Sequence, residues 1–269
     1  MKTSAEATSS KPMGLLEWLR AFRRRSVNSF GRRLIRGASD FLASQSLVGD
    51  PPIFDNALFS QQVAELEKNW RIIRQELDEV LEQRESIPGF EEISPDQTKI
   101  AKDRQWKTFF FHGFGYRVDP NCSKCPSTAQ ILERLPNMKT AWFSILSPQY
   151  HIPAHRGVTK GLVRIHLGLR VPADRENCFI RVGDKVRRWK EGKCFIIDDT
   201  YDHEVFNNTD EERTALVLDV ERPLKWRGKI FSELFLWAIC KTAYVQDGLK
   251  NLEKWEKRID STSPNAETL

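Results

Sequence analysis

No apolar run in this sequence approaches the roughly 20 residues that crossing a bilayer requires. The longest candidate, Leu234–Cys240, is far shorter and is followed by Lys241, so a spanning helix is not expected. Cysteines are sparse and odd in number, five in 269 residues (Cys122, Cys125, Cys178, Cys194, Cys240). That excludes a disulfide scaffold. No secretory h-region with a small-residue cleavage site precedes them, which predicts reduced thiols in a cytosolic compartment. Cys122 and Cys125 form a lone CxxC, and no second pair completes the four ligands of a structural zinc. A strong charge of one sign is also lacking. The 42 Lys and Arg against 37 Asp and Glu leave +5, too mild to argue for nucleic acid as a partner.

The basic charge that exists is concentrated at one end. Residues 1–36 hold nine Lys and Arg against Glu6 and Glu17. Within 13–36, Leu15, Leu19 and Phe22 share a helical face and arginines fill much of the rest. Three roles suit such a helix: lying on an anionic membrane surface, docking on the domain with its charges solvated, or acting as an organellar transit peptide. Asp50-Pro-Pro52 marks entry into the folded part. The chain thus divides into a basic amphipathic appendage (1–49), a helical part (50–139), a β-rich core (140–225) and a helical extension (226–269).

Periodicity supports that division. Val63, Leu66, Trp70, Ile73, Leu77 and Val80 predict an amphipathic helix over 61–85, and Trp106–His112 reads as a strand. From about Thr140 the period becomes two. Val163, Ile165, Leu167, Leu169 and Val171 fall on one face of a strand, with Arg164, His166, Gly168 and Arg170 on the other. Further strands at 178–182, 185–189, 193–197 and 213–220 predict a sandwich or barrel within an α+β chain.

All five histidines (His112, His151, His155, His166, His203) lie in or just before the β-rich part, which invites a metal-site hypothesis. His155 is expected in the turn Pro153–Gly157, leading into the strand of His166, and His203 at the end of another strand. Two imidazoles from opposing strands with open positions between them suit a redox-active iron. Arg213, ten residues after His203, is placed to clamp a carboxylate deep in the barrel. This is the logic of an Fe(II) oxygenase that uses 2-oxoglutarate.

The stretch Phe143–Gly157 with Arg164–Leu169, Ile180–Asp184, Trp189–Lys193 and Asp198–Val205 resembles the aspartyl/asparaginyl β-hydroxylase family. The resemblance implies a double-stranded β-helix (jelly-roll, cupin-like) core with flanking N- and C-terminal helices. It implies Fe(II), with 2-oxoglutarate and O2 as co-substrates. His155 and His203 resemble the iron ligands, Ser144 and Arg213 the groups around the distal carboxylate of 2-oxoglutarate, His166 a contact to that co-substrate, and Arg164 a basic residue facing the pocket. A third, carboxylate ligand is missing, because Gly157 stands where the usual His-x-Asp/Glu motif would place one.

Other residues are read more plainly. Asp202 is expected on the surface or in a turn, Asp198 and Asp199 to shape the turn and support His203, His151 at the rim, and Trp189 in a hairpin core. Leu162 stands where peptide-acting members of the family carry a second arginine. With the basic helix and the apolar run Leu234–Trp237, it favours a membrane-lipid acyl chain over a peptide Asp or Asn as substrate. The expected place is the cytoplasmic face of a membrane, bound peripherally through 13–36. The alternative from another class is a non-catalytic cupin-like or membrane-surface binding module.

Overall fold

A computed structural model of the chain describes residues 35–94, 97–113 and 115–262. The first element is a helix over 35–45 (α1), followed by β1 (Ile53–Phe54), the long α2 (Ser60–Leu81), α3 (Phe90–Ile93), β2 (Trp106–Gly113) and β3 (Tyr116–Arg117). Then come α4 (Asp119–Lys124), α5 (Pro126–Glu133), β4 (Met138–Leu146), β5 (Tyr150–His155) and β6 (Leu162–Arg170). Strands β7 (Cys178–Val182), β8 (Lys185–Arg188), β9 (Cys194–Ile197), β10 (His203–Asn207) and β11 (Arg213–Glu221) precede α6 (Trp226–Cys240) and α7 (Ala243–Thr262).

The strands form two antiparallel sheets, β1-β9-β6-β11-β4-β2-β3 and β5-β10-β7-β8. Two facing sheets of this kind are a jelly roll. The large sheet takes β1, β2 and β3 from before residue 140, with β2 paired along β4 from Trp106↔Leu146 to Gly113↔Thr140. The β architecture is thus wider than the 140–225 span.

Alternation divides the residues of the large sheet between two cores. Phe143, Ile145, Val163, Ile165, Leu167, Leu216 and Leu218 face α2 and α5, meeting Leu66, Ile73, Leu77 and Leu132. Each such side chain contributes about 1.5–3 kcal/mol by leaving water. The opposite positions, Trp142, Leu146, Phe195, Ile197, Ala215 and Val217, meet Ile152, Ile180, Val182 and Val205 of the small sheet. Strand β6 follows the expected pattern: its aliphatic positions pack on helices, which turns Arg164 and His166 into the space between the sheets. A polar pair inside a jelly roll is costly unless its groups find hydrogen-bond or ion-pair partners.

At the amino end, α1 is docked. Ala38 and Leu42 are buried, the Phe41 ring meets the edge of Phe231 at 5.0 Å, and Ser46 bridges to Leu224. Residues 38–46 therefore belong to the body of the protein, whereas the arginine-rich 13–34 lies outside the described residues. Among the described residues, no helix is long and apolar enough to cross a membrane.

Candidate active site

His155 ends β5 and His203 opens β10, and the two are direct cross-strand partners. This corrects the expectation of a turn position for His155, of a strand end for His203 and of opposing strands: the tyrosine-led segment 150–155 pairs fully with β10. Between Ile152↔Val205 and His155↔His203, β5 carries one residue more than β10. Simple alternation would send Ile152 and His155 to opposite faces. The bulge falls at Pro153-Ala154, where proline has no N–H to give the ladder. It turns His155 inward beside His203, with ring centroids 4.1 Å apart.

Backbone carbonyls orient both rings. His155 Nδ1 lies 2.8 Å from the Pro153 carbonyl and His203 Nδ1 lies 2.9 Å from that of Tyr201. A carbonyl only accepts, so each Nδ1 carries the proton and each Nε2 keeps a lone pair for a metal. Burial holds both imidazoles neutral: it lowers the pKa of His155, and that of His203 falls to about 3 with the neighbouring His155 adding to the effect. Among the described residues, no group of three or more His, Cys, Asp or Glu is placed to hold a metal. The two imidazoles are the donors this geometry offers side by side.

Arg213 opens β11 and is 1% exposed. Its Nη1 donates to the Ser144 carbonyl at 3.1 Å and to Ser144 Oγ at 3.2 Å, and its guanidinium lies 4.5 Å from the Trp189 ring centre. Nε has no partner, and among the described residues the guanidinium's hydrogen bonds go to Ser144 and to no carboxylate. Burial pushes its pKa down to about 10. Ser144 Oγ also accepts from Trp106 Nε1 at 3.0 Å. With both lone pairs engaged, the hydroxyl proton of Ser144 is available to an incoming acceptor. His166 stacks on Phe195 at 4.9 Å, and neither of its buried ring nitrogens has a partner. Burial, Arg164 and Arg213 keep it neutral by lowering its pKa. Ser144, His155, Arg164, His166, His203 and Arg213 line one inner cavity of about 30 Å³.

Gly157 adjoins an acid that the sequence reading assigned elsewhere. A Cβ on Gly157 would run into the carboxylate of Asp199, so that carboxylate occupies the space a side chain at 157 would fill. Burial raises the Asp199 pKa against the pull of Arg164, 3.1 Å away. Arg164 also binds Asp219 through Nε at 2.8 Å. Neither Asp198 nor Asp199 braces His203, whose Nδ1 meets the Tyr201 carbonyl instead. Asp198 instead accepts from Thr200 within the turn and pairs with Lys160 and with the buried Arg222. Asp202 points away to Arg181 at 3.0 Å, and the exposed His151 pairs with Glu204. Cys122 and Cys125 are buried, their thiols directed to the carbonyls of Phe111 and Glu76.

A second cavity, of about 220 Å³, runs outward from His155 and Arg164. Its walls are Phe90, Ile93, Phe110 and Trp142, and α7 closes the side with Val245, Leu249 and Leu252. Leu162 shares the strand face of Arg164 but does not line this channel, so the apolar wall comes from other residues than the one singled out in sequence. Trp106, Trp142, Trp189 and α7 join the site without a signal in the sequence. A tryptophan in a β-rich segment reads as core, and the α7 pattern reads as an ordinary amphipathic helix.

The family described as aspartyl/asparaginyl β-hydroxylase matches residues 67–223. An ornithine lipid ester-linked acyl 2-hydroxylase from Rhizobium tropici is 38% identical over 234 residues, 87% of this chain and 83% of that protein. The human aspartyl/asparaginyl β-hydroxylase is 30% identical over 170 residues, 61% of this chain but 22% of that longer protein. Among solved structures, the DMSP lyase DddQ from Ruegeria pomeroyi aligns with a TM-score of 0.31 at 14% identity, over 44% of this chain and 47% of its own. The jelly roll, the paired histidines on it and a sequence match running through both place this chain in the aspartyl/asparaginyl β-hydroxylase family.

Proposed function

We propose that this chain is an Fe(II)- and 2-oxoglutarate-dependent hydroxylase of a membrane-lipid acyl chain. The observation that carries the proposal is Arg213, a buried cation with no carboxylate partner among the described residues, a few side chains from two imidazoles with free Nε2 atoms. An uncompensated buried charge is destabilising by several kcal/mol. A dicarboxylate co-substrate relieves that cost, accepting from Arg213 and from the Ser144 hydroxyl, while His166 gains a partner for a ring nitrogen.

Iron with 2-oxoglutarate and O2 supplies the oxidising power to hydroxylate a C–H bond. The protein's own part is to hold and to aim. His155 and His203 offer two ligands in a fixed tautomer. Trp106 and Trp142 wall the inner cavity, and Trp189 stacks beneath Arg213. Arg164 is already paired with Asp219 and Asp199 and so is engaged before a carboxylate-bearing substrate arrives. The apolar channel suits a hydrocarbon chain. The name of the Rhizobium relative points to an ester-linked acyl chain, and a basic 13–36 segment suits an anionic membrane.

The test is to incubate the protein with Fe(II), 2-oxoglutarate and either bacterial lipid extract or Asp- and Asn-containing peptides. Expected is succinate formation coupled to gain of one oxygen by an acyl chain. Oxygen appearing in the peptides and not in the lipids would favour the peptide reading, and no succinate with either would refute the hydroxylase.

A further inference from the structure

Helix α6 is turned the wrong way for an ordinary surface helix. Trp226, Ile230, Leu234 and Trp237 are 68%, 51%, 62% and 64% exposed. At 100° per residue they fall within about 80° of one another, a single outward stripe. The setting is imposed by close packing behind it. A Cβ on Gly228 would strike Gln45, and Ser232 sits so close to Gly161 that a Cβ there would strike its hydroxyl. Leu236 completes the buried side. The body of the protein thus grips the small residues of α6 and presents the large apolar ones to solvent.

We infer that this stripe is a docking surface for an anionic lipid bilayer. Tryptophans stand at both ends, and an indole favours the headgroup level, where its ring is dry and its N–H is wet. Exposed Arg227 borders the stripe on one side and Lys229 on the other, with Lys225 and Lys241 at the ends and Glu233 as the one exposed acid of the helix. That charge complements an anionic surface. The patch continues onto α1 through Phe41, the docked helix into which the arginine-rich segment leads. It also adjoins the channel. Gly161, on which Ser232 rests, is three residues from Val158 at the channel wall, and α6 runs on into α7, which forms another wall. Docking here brings the channel to the lipid. This inference complements the lipid-substrate reading, yet its test needs neither iron nor turnover, so the two fail separately.

The experiment compares the full chain with a Trp226→Ser/Leu234→Ser/Trp237→Ser variant for co-sedimentation with phosphatidylcholine vesicles, with and without phosphatidylglycerol. It is run at low salt and again at high salt, where the basic segment is screened. The expected result is about tenfold weaker binding of the variant to anionic vesicles at either salt. Trp226→Phe/Trp237→Phe should keep most of the affinity. Unchanged melting and an unchanged elution volume on size exclusion confirm that the variant is folded. Variant binding within about twofold of wild type would overturn the inference. So would a dimer that the triple substitution splits without altering vesicle binding, since the patch would then join two copies of the chain.

Discussion

His155 and His203 share one side of their ladder only because β5 is a residue longer than its partner between Ile152 and His155. The bulge and the two carbonyl contacts set the rings before any ligand arrives. His155→Ala or His203→Ala should therefore reduce Fe(II)-dependent succinate formation by more than the ~100-fold that losing an outer partner of a metal site costs. Asp202→Ala should retain most activity, since Asp202 is held by Arg181. Equal loss of bound iron in Asp202→Ala, measured by metal analysis, would contradict the two-histidine site.

Arg213→Lys keeps the charge but loses the fork that reaches Ser144 twice. A charged hydrogen bond is worth roughly 1.5–3 kcal/mol, so the KM for 2-oxoglutarate should rise about tenfold or more. Affinity for Fe(II) should hardly change. An unaltered KM would remove Arg213 from the co-substrate pocket.

Gly248 of α7 lines the apolar channel, and a Cβ there would meet only the Ile93 carbonyl at an ordinary 3.7 Å. Gly248→Ala should be tolerated. Gly248→Phe should fill the channel and cut lipid hydroxylation about tenfold or more while 2-oxoglutarate binding persists. If the phenylalanine variant hydroxylates long and short acyl chains as well as wild type does, the chain runs elsewhere.

The histidines also make stability pH-dependent in a definite direction. Unfolded, each titrates near 6.5; folded, His203 titrates near about 3, and His166 lies well below 6.5 because both are buried. Protons then bind the unfolded chain preferentially, so stability is complete above 6.5 and is lost as pH falls toward 3. The melting temperature of metal-free protein should fall between about pH 7 and pH 5, above the range where ordinary carboxylates titrate. His203→Asn should flatten that slope. A flat wild-type profile would mean that the imidazoles are solvated.

The strand pattern of β6 separated Arg164 and His166 from its aliphatic face, and the family resemblance is what turned that polar face toward a pocket. The long α2 was legible from its apolar spacing. The channel was not. Val245, Leu249 and Leu252 carry a helical spacing that serves a packed core equally well, and only the tertiary position of α7 makes them a wall. Nor was the role of Asp199, since its approach to Gly157 joins residues 42 positions apart. The bulge had one visible sign, a proline inside an otherwise extended segment. Trp189 had none, since its stacking under Arg213 depends on how two sheets close.

The sulfur atoms of this protein bear on how it ages. Cys122, Cys125, Cys178 and Cys194 are buried and outside any disulfide, and burial pushes the last three above the ordinary thiol range. Oxidants attack the thiolate, so an interior kept in the protonated form is slow to corrode. Partial burial raises the Cys240 thiol as well, but it is the most accessible of the five and so the weak point. Under dilute peroxide, oxygen adducts should appear first on the peptide carrying Cys240, with the CxxC pair intact by peptide mapping; early oxidation at Cys122 or Cys125 would mean that their pocket opens. Replacing Cys240 by serine should then lengthen the working life of the purified protein in air.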